Sequence, residues 1–230
     1  MQFQAVIFDL DGTLLDTLPD IAAAMNTVLK HRGFPTHRSD EFRSMMGWGM
    51  PELIRRAAPA SVSARDREQM RAELLIEYTR NPVEMTVPYR GIPEILRGLR
   101  SAGIPLAVVT NKADELVETV LRGVLPSIDF FATRGFMPDQ PAKPDPTATL
   151  EVLAGLGVDP SGACFVGDSE VDVETAKNAG MASIGVTWGY RPRESLSGAD
   201  HVADTAEQLA EFLGFAPDAP EKFRLDASVM

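Results

Sequence analysis

The sequence predicts an α/β fold, a Rossmann-like doubly wound parallel sheet into which an all-helical domain is inserted. An apolar run at residues 5–8 reads as a buried first strand. From Gly91 onward, short apolar runs alternate with segments of helical periodicity, as in a parallel sheet covered by helices on both faces. Residues 17–83 interrupt this alternation with helical patterns and no convincing strand. We therefore predict a core domain of residues 1–16 and 84–230 and a helical domain of residues 17–83.

Each element is predicted from its hydrophobic pattern and its end signals. The inserted helices are predicted at residues 18–32, 40–46, 51–58 and 64–78. The core strands that follow are predicted at residues 104–110, 130–133, 163–167, 182–187 and 201–203. The core helices are predicted at residues 93–102, 113–124, 146–156, 171–179 and 206–213. Three of these helices stop at a glycine, the residue that best adopts a left-handed C-terminal cap: Gly103, Gly157 and Gly180. The segment 216–230 is weakly patterned, so we expect it to be loosely held.

Composition narrows the class of protein and its surroundings. Cys164 is the only cysteine among 230 residues, so an intrachain disulfide is impossible and a reducing, cytoplasmic location is expected. The first residues lack the basic stretch of a signal peptide, and no apolar run approaches the ~20 residues that span a bilayer. The net charge of −11 disfavours nucleic acid as a partner. Residues 17–83 differ in charge from the rest of the chain, because they hold ten Lys/Arg against eight Asp/Glu. Either a monomer or a homodimer fits this composition.

Polar side chains collect at the predicted carboxyl ends of the core strands, where open α/β sheets bind their ligands. They provide carboxylates, an ammonium, a hydroxyl and an amide, namely Asp9, Asp11, Thr110, Asn111, Lys143, Asp168 and Asp172. Each has a structural explanation when taken alone. Asp-Gly is a turn dipeptide, Thr110 and Asp168 precede helices and can cap them, and Lys143 can be a solvated loop residue. Because all of them converge on one edge of one sheet, we interpret them as a functional site.

The carboxylates of this set suit phosphoryl transfer. Asp9, Asp11 and Asp168 form an oxygen site of the kind that Mg²⁺ prefers. A cation also makes two aspartates beside an apolar strand tolerable, since unpaired charges there repel each other and resist desolvation. One carboxylate can attack phosphorus to form an aspartyl-phosphate. The second can act as general acid and then as general base.

Other groups at the same edge can hold the phosphoryl oxygens as charge moves during transfer. They are Lys143, Thr110 and the backbone N–H groups of the turn at residues 9–12, which includes Leu10 and Gly12. The chain has no GxxxxGK[ST] motif, so the phosphate is expected to come from the substrate itself.

These residues resemble the haloacid dehalogenase superfamily over nearly the whole chain. Its four motifs occur in order, as Asp9-Leu10-Asp11-Gly12-Thr13, Thr110-Asn111, Lys143-Pro144 and Gly167-Asp168-Ser169-x-x-Asp172. The resemblance implies that Asp9 is the nucleophile and Asp11 the acid/base. It also implies Mg²⁺ held by Asp9, the Asp11 carbonyl and Asp168, with Asp172 in support. The insertion would be the family's helical cap.

Within the superfamily the chain is most similar to phosphoglycolate phosphatases. The stretches that carry this similarity are LLDTLPDIAAAMN, MGWGMPELI, TNK, KPDP and GVTWGY. The similarity implies that the substrate is a small phosphorylated metabolite, 2-phosphoglycolate, which would be hydrolysed to glycolate and phosphate, with Gly47 and Gly49 bringing cap backbone close to it and Asn111 as a further contact. We expect Arg55 or its neighbour Arg56 to face the cleft and bind the substrate's second anionic group.

Several alternatives stay open at this point. The substrate can instead be pyrophosphate, a sugar phosphate or a nucleoside monophosphate. A sugar-phosphate mutase is disfavoured, because such enzymes usually carry a histidine soon after the first motif and the first histidine here is His31. Asp11 argues against dehalogenase and phosphonate hydrolase chemistry, which lack that carboxylate. A catalytically idle scaffold would be expected to have lost a motif residue, and none is lost.

Overall fold

A sheet of six parallel strands organises the chain, for which a computed structural model describes residues 3–215. The strands along the chain are β1 (Ala5–Phe8), β2 (Leu15–Asp16), β3 (Val87–Pro88), β4 (Leu106–Ala113), β5 (Ala132–Phe136), β6 (Ala163–Gly167), β7 (Ala182–Val186) and β8 (His201–Ala203). The sheet has the order β5-β4-β1-β6-β7-β8, and every neighbouring pair in it is parallel. The tail predicted at 216–230 lies outside the described residues.

Helices connect the strands and cover both faces of the sheet. In chain order they are α1 (Leu18–His31), α2 (Ser39–Phe42), α3 (Gly49–Ala57), α4 (Ala64–Arg80), α5 (Ile92–Ser101), α6 (Asp114–Val124), α7 (Thr147–Leu156), α8 (Glu170–Ala179) and α9 (Ala206–Phe212). The alternation of strands and helices confirms the predicted fold class. Among residues 3–215, none of these helices is long and apolar enough to cross a membrane.

The first strand is apolar throughout because both of its faces are buried. Successive side chains of a strand point to opposite faces of the sheet. Val6 and Phe8 pack in the hydrophobic cluster that contains α5, α6 and α9, whereas Ala5 and Ile7 pack in the cluster that contains α7 and α8. All four residues are almost completely buried. Both faces of the central strand are therefore closed to solvent, and only its carboxyl end can carry polar groups toward a ligand.

The four helices α1 to α4, here called the cap, pack around a second hydrophobic cluster that also includes Ala113, Leu116 and Tyr190 of the core. Its fully buried members include Met25, Leu29, Phe42, Met70 and Leu74. The antiparallel pair β2–β3 joins the two chain connections between the cap and the sheet. The division into domains at residues 17 and 83 stays a prediction from the sequence.

Differences from the predicted elements arise where tertiary contacts decide the backbone. β4 continues to Ala113 instead of ending at Thr110, because Ala113 pairs with Phe136 of β5 across a shift in register. The helix predicted at 40–46 is the short α2 followed by a 3₁₀ turn. The two-residue strands β2 and β3 were not predicted, since so short a pair has no periodicity of its own.

Candidate active site

Three neighbouring strand ends form the centre of the candidate site. β1 lies between β4 and β6 in the sheet, so the polar residues at their carboxyl ends meet at one edge. Asp9 follows β1, Thr110 lies in β4 and Asp168 follows β6. All three are buried, with 3% to 6% of their surface exposed. The structure thus brings together residues that the sequence places more than 150 positions apart.

Lys143 joins two of the carboxylates. Its Nζ donates to Asp9 Oδ1 at 2.8 Å and to Asp172 Oδ1 at 2.7 Å. Asn111 fixes the backbone of Lys143 by accepting from its N–H at 2.9 Å and donating to its carbonyl at 3.1 Å. Burial by itself lowers the pKa of Lys143, but Asp172 and Asp9 raise it above its usual value. Lys143 is therefore cationic, and its position is set at both the backbone and the side-chain end.

Asp172 has both of its carboxylate oxygens engaged. Oδ1 accepts from Lys143, and Oδ2 accepts from the Ser169 backbone N–H at 3.0 Å and from its hydroxyl at 2.6 Å. This reciprocal contact caps the first turn of α8. The two interpretations of this motif, as a helix cap and as part of a site, are therefore compatible. Asp172 orients Lys143 from a position that this capping contact at the start of α8 makes rigid.

Asp9, Asp168 and Asp172 form a compact acidic cluster. Each offers an oxygen atom, and these atoms lie within 4.8 Å of one another. Burial raises the pKa of Asp9 to about 6 against the opposing effect of Lys143. Burial also raises the pKa of Asp168, and the charges of Asp172 and Asp9 add to this shift. In the described part of the chain, Lys143 alone forms salt bridges with the cluster, so three carboxylates face one ammonium. This excess negative charge on oxygen atoms suits a hard divalent cation.

The turn after β1 approaches the end of β6 very closely. Gly12 has a φ of +92°, and a Cβ at this position would lie 2.5 Å from Asp168 Oδ2. Any other residue would strain the backbone and collide with the carboxylate. Leu10 has a fully buried side chain, so it can face a ligand only with its backbone. Leu10 is compatible with the predicted backbone contact, whereas the Gly12 N–H already donates to the Leu15 carbonyl at 2.9 Å.

Asp11 faces a lysine that was absent from the predicted site. Lys112 Nζ lies 3.0 Å from Asp11 Oδ1, and it also donates to the hydroxyl of Tyr78 in α4 at 2.9 Å. Thr17 donates its hydroxyl to the same Asp11 oxygen at 2.8 Å. Burial by itself lowers the pKa of Lys112, but Asp11 and Tyr78 raise it above its usual value. The sequence could have indicated Lys112 as a site residue, because it is the third polar residue of Thr110-Asn111-Lys112, directly after an apolar strand.

A cavity of about 50 Å³ lies between the cap and this edge of the sheet. Its floor comes from strand ends, with Asp9, Asp11, Thr110, Asn111 and Lys112. Its roof comes from the cap and is mostly apolar, with Ile21, Met46, Gly47, Gly49, Met50, Leu53, Leu74 and Tyr78. The predicted site residues of the cap loop, Gly47 and Gly49, therefore lie in the cavity wall.

Gly47 and Gly49 allow the cap backbone to touch the sheet. The carbonyl of Gly47 accepts from Asn111 Nδ2 at 3.3 Å. Gly49 has a φ of +78°, and a Cβ there would lie 2.8 Å from the backbone oxygen of Asn111. Trp48 between them is 36% exposed and lies beside Arg55 on the outer surface of the cap, so it does not shield the cavity.

The structure corrects the prediction for Arg55. Its side chain is 56% exposed and forms a bidentate pair with Glu52, at 2.6 Å for both contacts. Arg56 binds the same carboxylate and the carbonyl of Ser44. Both arginines point away from the cavity, because α3 turns its apolar face, with Leu53 and Ile54, toward the interior. The cation at this cavity comes from the sheet and not from the cap.

The loop after β7 was also absent from the predicted site. The backbone N–H of Tyr190 donates to Asp168 Oδ2 at 2.6 Å. The hydroxyl of Tyr190 accepts from the backbone N–H groups of Thr17 and Leu18 at 2.8 Å and 3.0 Å. Arg43 of the cap donates to the carbonyl of Gly189 at 2.7 Å. This loop thus contacts the acidic cluster, the first cap helix and the rest of the cap at once.

Comparisons with known proteins agree with this geometry. Residues 6–186 match the family of haloacid dehalogenase-like hydrolases. A phosphoglycolate phosphatase of Pseudomonas putida is 38% identical over 189 residues, which are 80% of this chain and 70% of that protein. A phosphoglycolate phosphatase of Aquifex aeolicus is 36% identical over 81% of this chain and 86% of its own. An N-acetylmuramic acid 6-phosphate phosphatase of Pseudomonas aeruginosa is 33% identical over 93% of this chain and 96% of its own.

Solved structures share the fold over almost the whole chain. A predicted phosphoglycolate phosphatase from Haemophilus somnus superimposes with a TM-score of 0.84 and 29% identity, covering 93% of this chain and 99% of its own. CbbY from Rhodobacter sphaeroides in complex with phosphate has a TM-score of 0.74 and 26% identity, covering 90% of this chain and 96% of its own.

Proposed function

The chain belongs to the haloacid dehalogenase-like hydrolases and is a phosphoric monoester hydrolase; on this premise we propose that it is a Mg²⁺-dependent phosphatase that converts 2-phosphoglycolate into glycolate and phosphate through an aspartyl-phosphate. The observation that carries the proposal is the position of Lys143. It bridges Asp172 to Asp9, which lines the floor of the cavity, and Asp168 completes the acidic cluster beside Asp9.

In the proposed reaction Asp9 is the nucleophile. Lys143 holds one oxygen of the Asp9 carboxylate, which restricts its rotation and favours one orientation of attack. A bond forms between a carboxylate oxygen and phosphorus while the bond from phosphorus to the glycolate oxygen breaks. The glycolate oxygen takes a proton from Asp11, which lines the same cavity. Asp11 then removes a proton from the water that attacks phosphorus, and the bond from phosphorus to the Asp9 oxygen breaks, which releases phosphate and restores the Asp9 carboxylate.

Two further groups are placed to hold the phosphoryl oxygens. Thr110 lines the cavity and its hydroxyl oxygen accepts from the Lys112 backbone N–H at 3.2 Å, which leaves the hydroxyl proton for a ligand. The backbone N–H groups of Leu10 and Asp11 follow Asp9 directly, whereas the Gly12 N–H donates to the Leu15 carbonyl at 2.9 Å. Fixed donors of this kind stabilise charge that develops in the transition state.

The residues present fit a divalent cation. Oxygens of Asp9 and Asp168 and the carbonyl of Asp11 are the proposed ligands, whereas Asp172 is engaged by Lys143 and Ser169 and acts in support. When bound, Mg²⁺ would supply positive charge against the phosphoryl oxygens. The raised pKa values of the buried aspartates support this assignment, because such carboxylates lack sufficient positive charge around them.

The cap favours a small substrate. The cavity between the cap and the strand ends is small, about 50 Å³, and most of its roof is apolar. The roof closes on the strand ends through Gly47 and Gly49, which leaves space for a molecule of few atoms beyond the phosphoryl group. N-Acetylmuramic acid 6-phosphate is the second candidate, because the relative that acts on it matches this chain almost from end to end.

The test is phosphate release from a panel of esters with and without Mg²⁺. The panel contains 2-phosphoglycolate, N-acetylmuramic acid 6-phosphate, pyrophosphate, sugar phosphates and nucleoside monophosphates. We expect 2-phosphoglycolate to have the highest kcat/KM, Asp9→Asn to be inactive, and Asp139→Asn, an exposed loop aspartate, to match the wild type. A burst of ³²P retained on denatured wild-type protein but not on Asp9→Asn would support the aspartyl-phosphate. Preference for another ester would overturn the substrate, and full activity of Asp9→Asn would overturn the mechanism.

A further inference from the structure

Lys112 is the one basic residue among the described residues that line the cavity. Its side chain is 2% exposed, so its ammonium is held in a closed space without bulk water. A buried ammonium is normally matched by anionic or polar partners. Two groups supply partners here, the Asp11 carboxylate and the Tyr78 hydroxyl. An ammonium has three N–H donors, and these two groups already accept from all three, so an anion from the cavity has to displace one contact, of which the one to Asp11 Oδ2 at 3.3 Å is the longest.

The position of Lys112 along β4 places it next to the proposed phosphoryl site. Thr110 lies two residues earlier in the same strand, and its hydroxyl oxygen accepts from the Lys112 backbone N–H at 3.2 Å. Both residues line the cavity. If Thr110 contacts the phosphoryl group, Lys112 Nζ, which Asp11 and Tyr78 hold in the wall of the same cavity, is the cation available to the rest of the substrate. In 2-phosphoglycolate that part is a carboxylate two carbon atoms from the ester oxygen.

The cap offers no competing cation for this carboxylate within the described residues. Arg55 and Arg56 pair with Glu52 on the outer surface. The roof of the cavity is made largely of Ile, Met and Leu side chains, and its polar side chain is the hydroxyl of Tyr78, which already binds Lys112. Arg43 and Arg191 lie near the cap loop but donate to the carbonyls of Gly189 and Ser44 and do not line the cavity, so Lys112 is the cation best placed to pair a second anionic group of the substrate.

We infer that Lys112 is the specificity-determining residue that binds the substrate's carboxylate, with Tyr78 of the cap holding its ammonium in place when the cap is closed. This inference rests on the proposed function, since it assigns a role toward the proposed substrate. It has a clear rival, in which Lys112 only neutralises Asp11 and never touches the substrate. The two roles predict different kinetics, because the rival role affects every phosphate ester equally.

The experiment compares two esters on three proteins. The esters are 2-phosphoglycolate and ethyl phosphate, which has the same two-carbon chain and no carboxylate. The proteins are the wild type, Lys112→Met and the matched control Lys30→Met, which removes an exposed lysine at the end of α1. The measured quantities are kcat and KM for each ester, and the ratio of the two kcat/KM values isolates the coupling between Lys112 and the carboxylate.

We expect Lys112→Met to raise KM for 2-phosphoglycolate on the order of ten- to a hundredfold, the usual effect of losing a charge-assisted contact. The ratio of kcat/KM values should fall by the same factor, and Lys30→Met should leave it unchanged. An unchanged ratio in Lys112→Met, with similar losses on both esters, would overturn the inference and leave the proposed function intact. If the wild type does not prefer 2-phosphoglycolate over ethyl phosphate, the proposed substrate and this inference both fail.

A second variant covers the case in which Lys112→Met does not fold, as judged by its thermal melting curve. Lys112→Gln removes the charge but keeps an N–H donor for Asp11, so it retains one of the buried contacts. The same loss of preference is expected for Lys112→Gln, and retention of the wild-type ratio would again overturn the inference.

Discussion

Because the cap approaches the sheet closely at Gly49, we expect that replacing this glycine lowers the activity. Alanine at this position would place a Cβ 2.8 Å from the Asn111 oxygen, whereas ordinary contacts begin near 3.4 Å. The start of α3 would then have to retreat from the strand end by about 0.6 Å. Since a displacement of ~1 Å at a reacting centre can lower the rate about a hundredfold, we expect Gly49→Ala to reduce kcat/KM roughly tenfold.

Gly33→Ala is the matched control for this substitution. Gly33 also lies in the cap and also has a positive φ, +69°, but a Cβ there meets nothing within 4 Å. Both variants bear the strain of a left-handed non-glycine residue, about 1–2 kcal/mol, partly offset by a less flexible unfolded chain. A net loss of about 1 kcal/mol lowers Tm by roughly 2–4 °C for a chain of this size. Only Gly49→Ala should also lose activity.

The assay is Mg²⁺-dependent phosphate release together with a thermal melt of each variant. Wild-type kcat/KM in Gly49→Ala would refute the reasoning, because the contact with Asn111 would then not determine how the cap closes. An equal loss in Gly33→Ala would also refute it, since backbone strain rather than the close approach would be responsible.

Two further predictions follow from buried and paired charges. Lys143→Met removes the ammonium between two carboxylates, so kcat should fall on the order of 10²- to 10³-fold, and Mg²⁺ should raise Tm more than it does in the wild type. Activity assays and melting curves with and without Mg²⁺ test this, with Lys177→Met on an exposed helix surface as the control. An equal effect of Mg²⁺ on the Tm of all three proteins would contradict the prediction. The hydrogen bond from Arg55 is the main cause that lowers the pKa of Glu52 to about 2. The charged form of Glu52 therefore stabilises the fold at any pH above its usual pKa near 4.5, and this contribution is lost as the pH falls toward 2. Glu52→Gln should therefore reduce the free energy of unfolding by about 1 kcal/mol at pH 7 and by less at pH 3, as urea titrations would measure. Glu94→Gln, in an exposed helix pair, is the control, and a loss that grows toward low pH would argue against this role for the pair.

The sequence predicted most of the core because its signals are local. Strands such as β1 and β6 are apolar on both faces, which is what a sheet covered by helices on both sides requires. The carboxyl ends of parallel strands meet at the same edge of a sheet. Polar residues directly after such strands, among them Asp9 and Asp168, can therefore be grouped into one site from the sequence pattern alone.

The sequence did not predict which side chains of the cap reach that site. The pattern of α3 marks Leu53 and Ile54 as one face, but the turn of this face toward the strand ends depends on packing between the cap and the sheet. Arg55 was assigned to the cleft on charge alone. Its partner Glu52, three residues earlier, was a local signal for an outward-facing ion pair.

The sequence by itself determined the fold class, the family and the acidic and basic groups at the sheet edge, because apolar periodicity and the motifs after each strand are properties of short segments. Only the tertiary structure decided that β4 continues past Thr110 and that Lys112 meets both Asp11 and Tyr78. These three residues are far apart in the chain. Their contact depends on how the cap closes over the sheet, and that geometry follows from a hydrophobic cluster in which cap residues pack against Ala113 and Leu116 of the core, which no pattern within one segment shows.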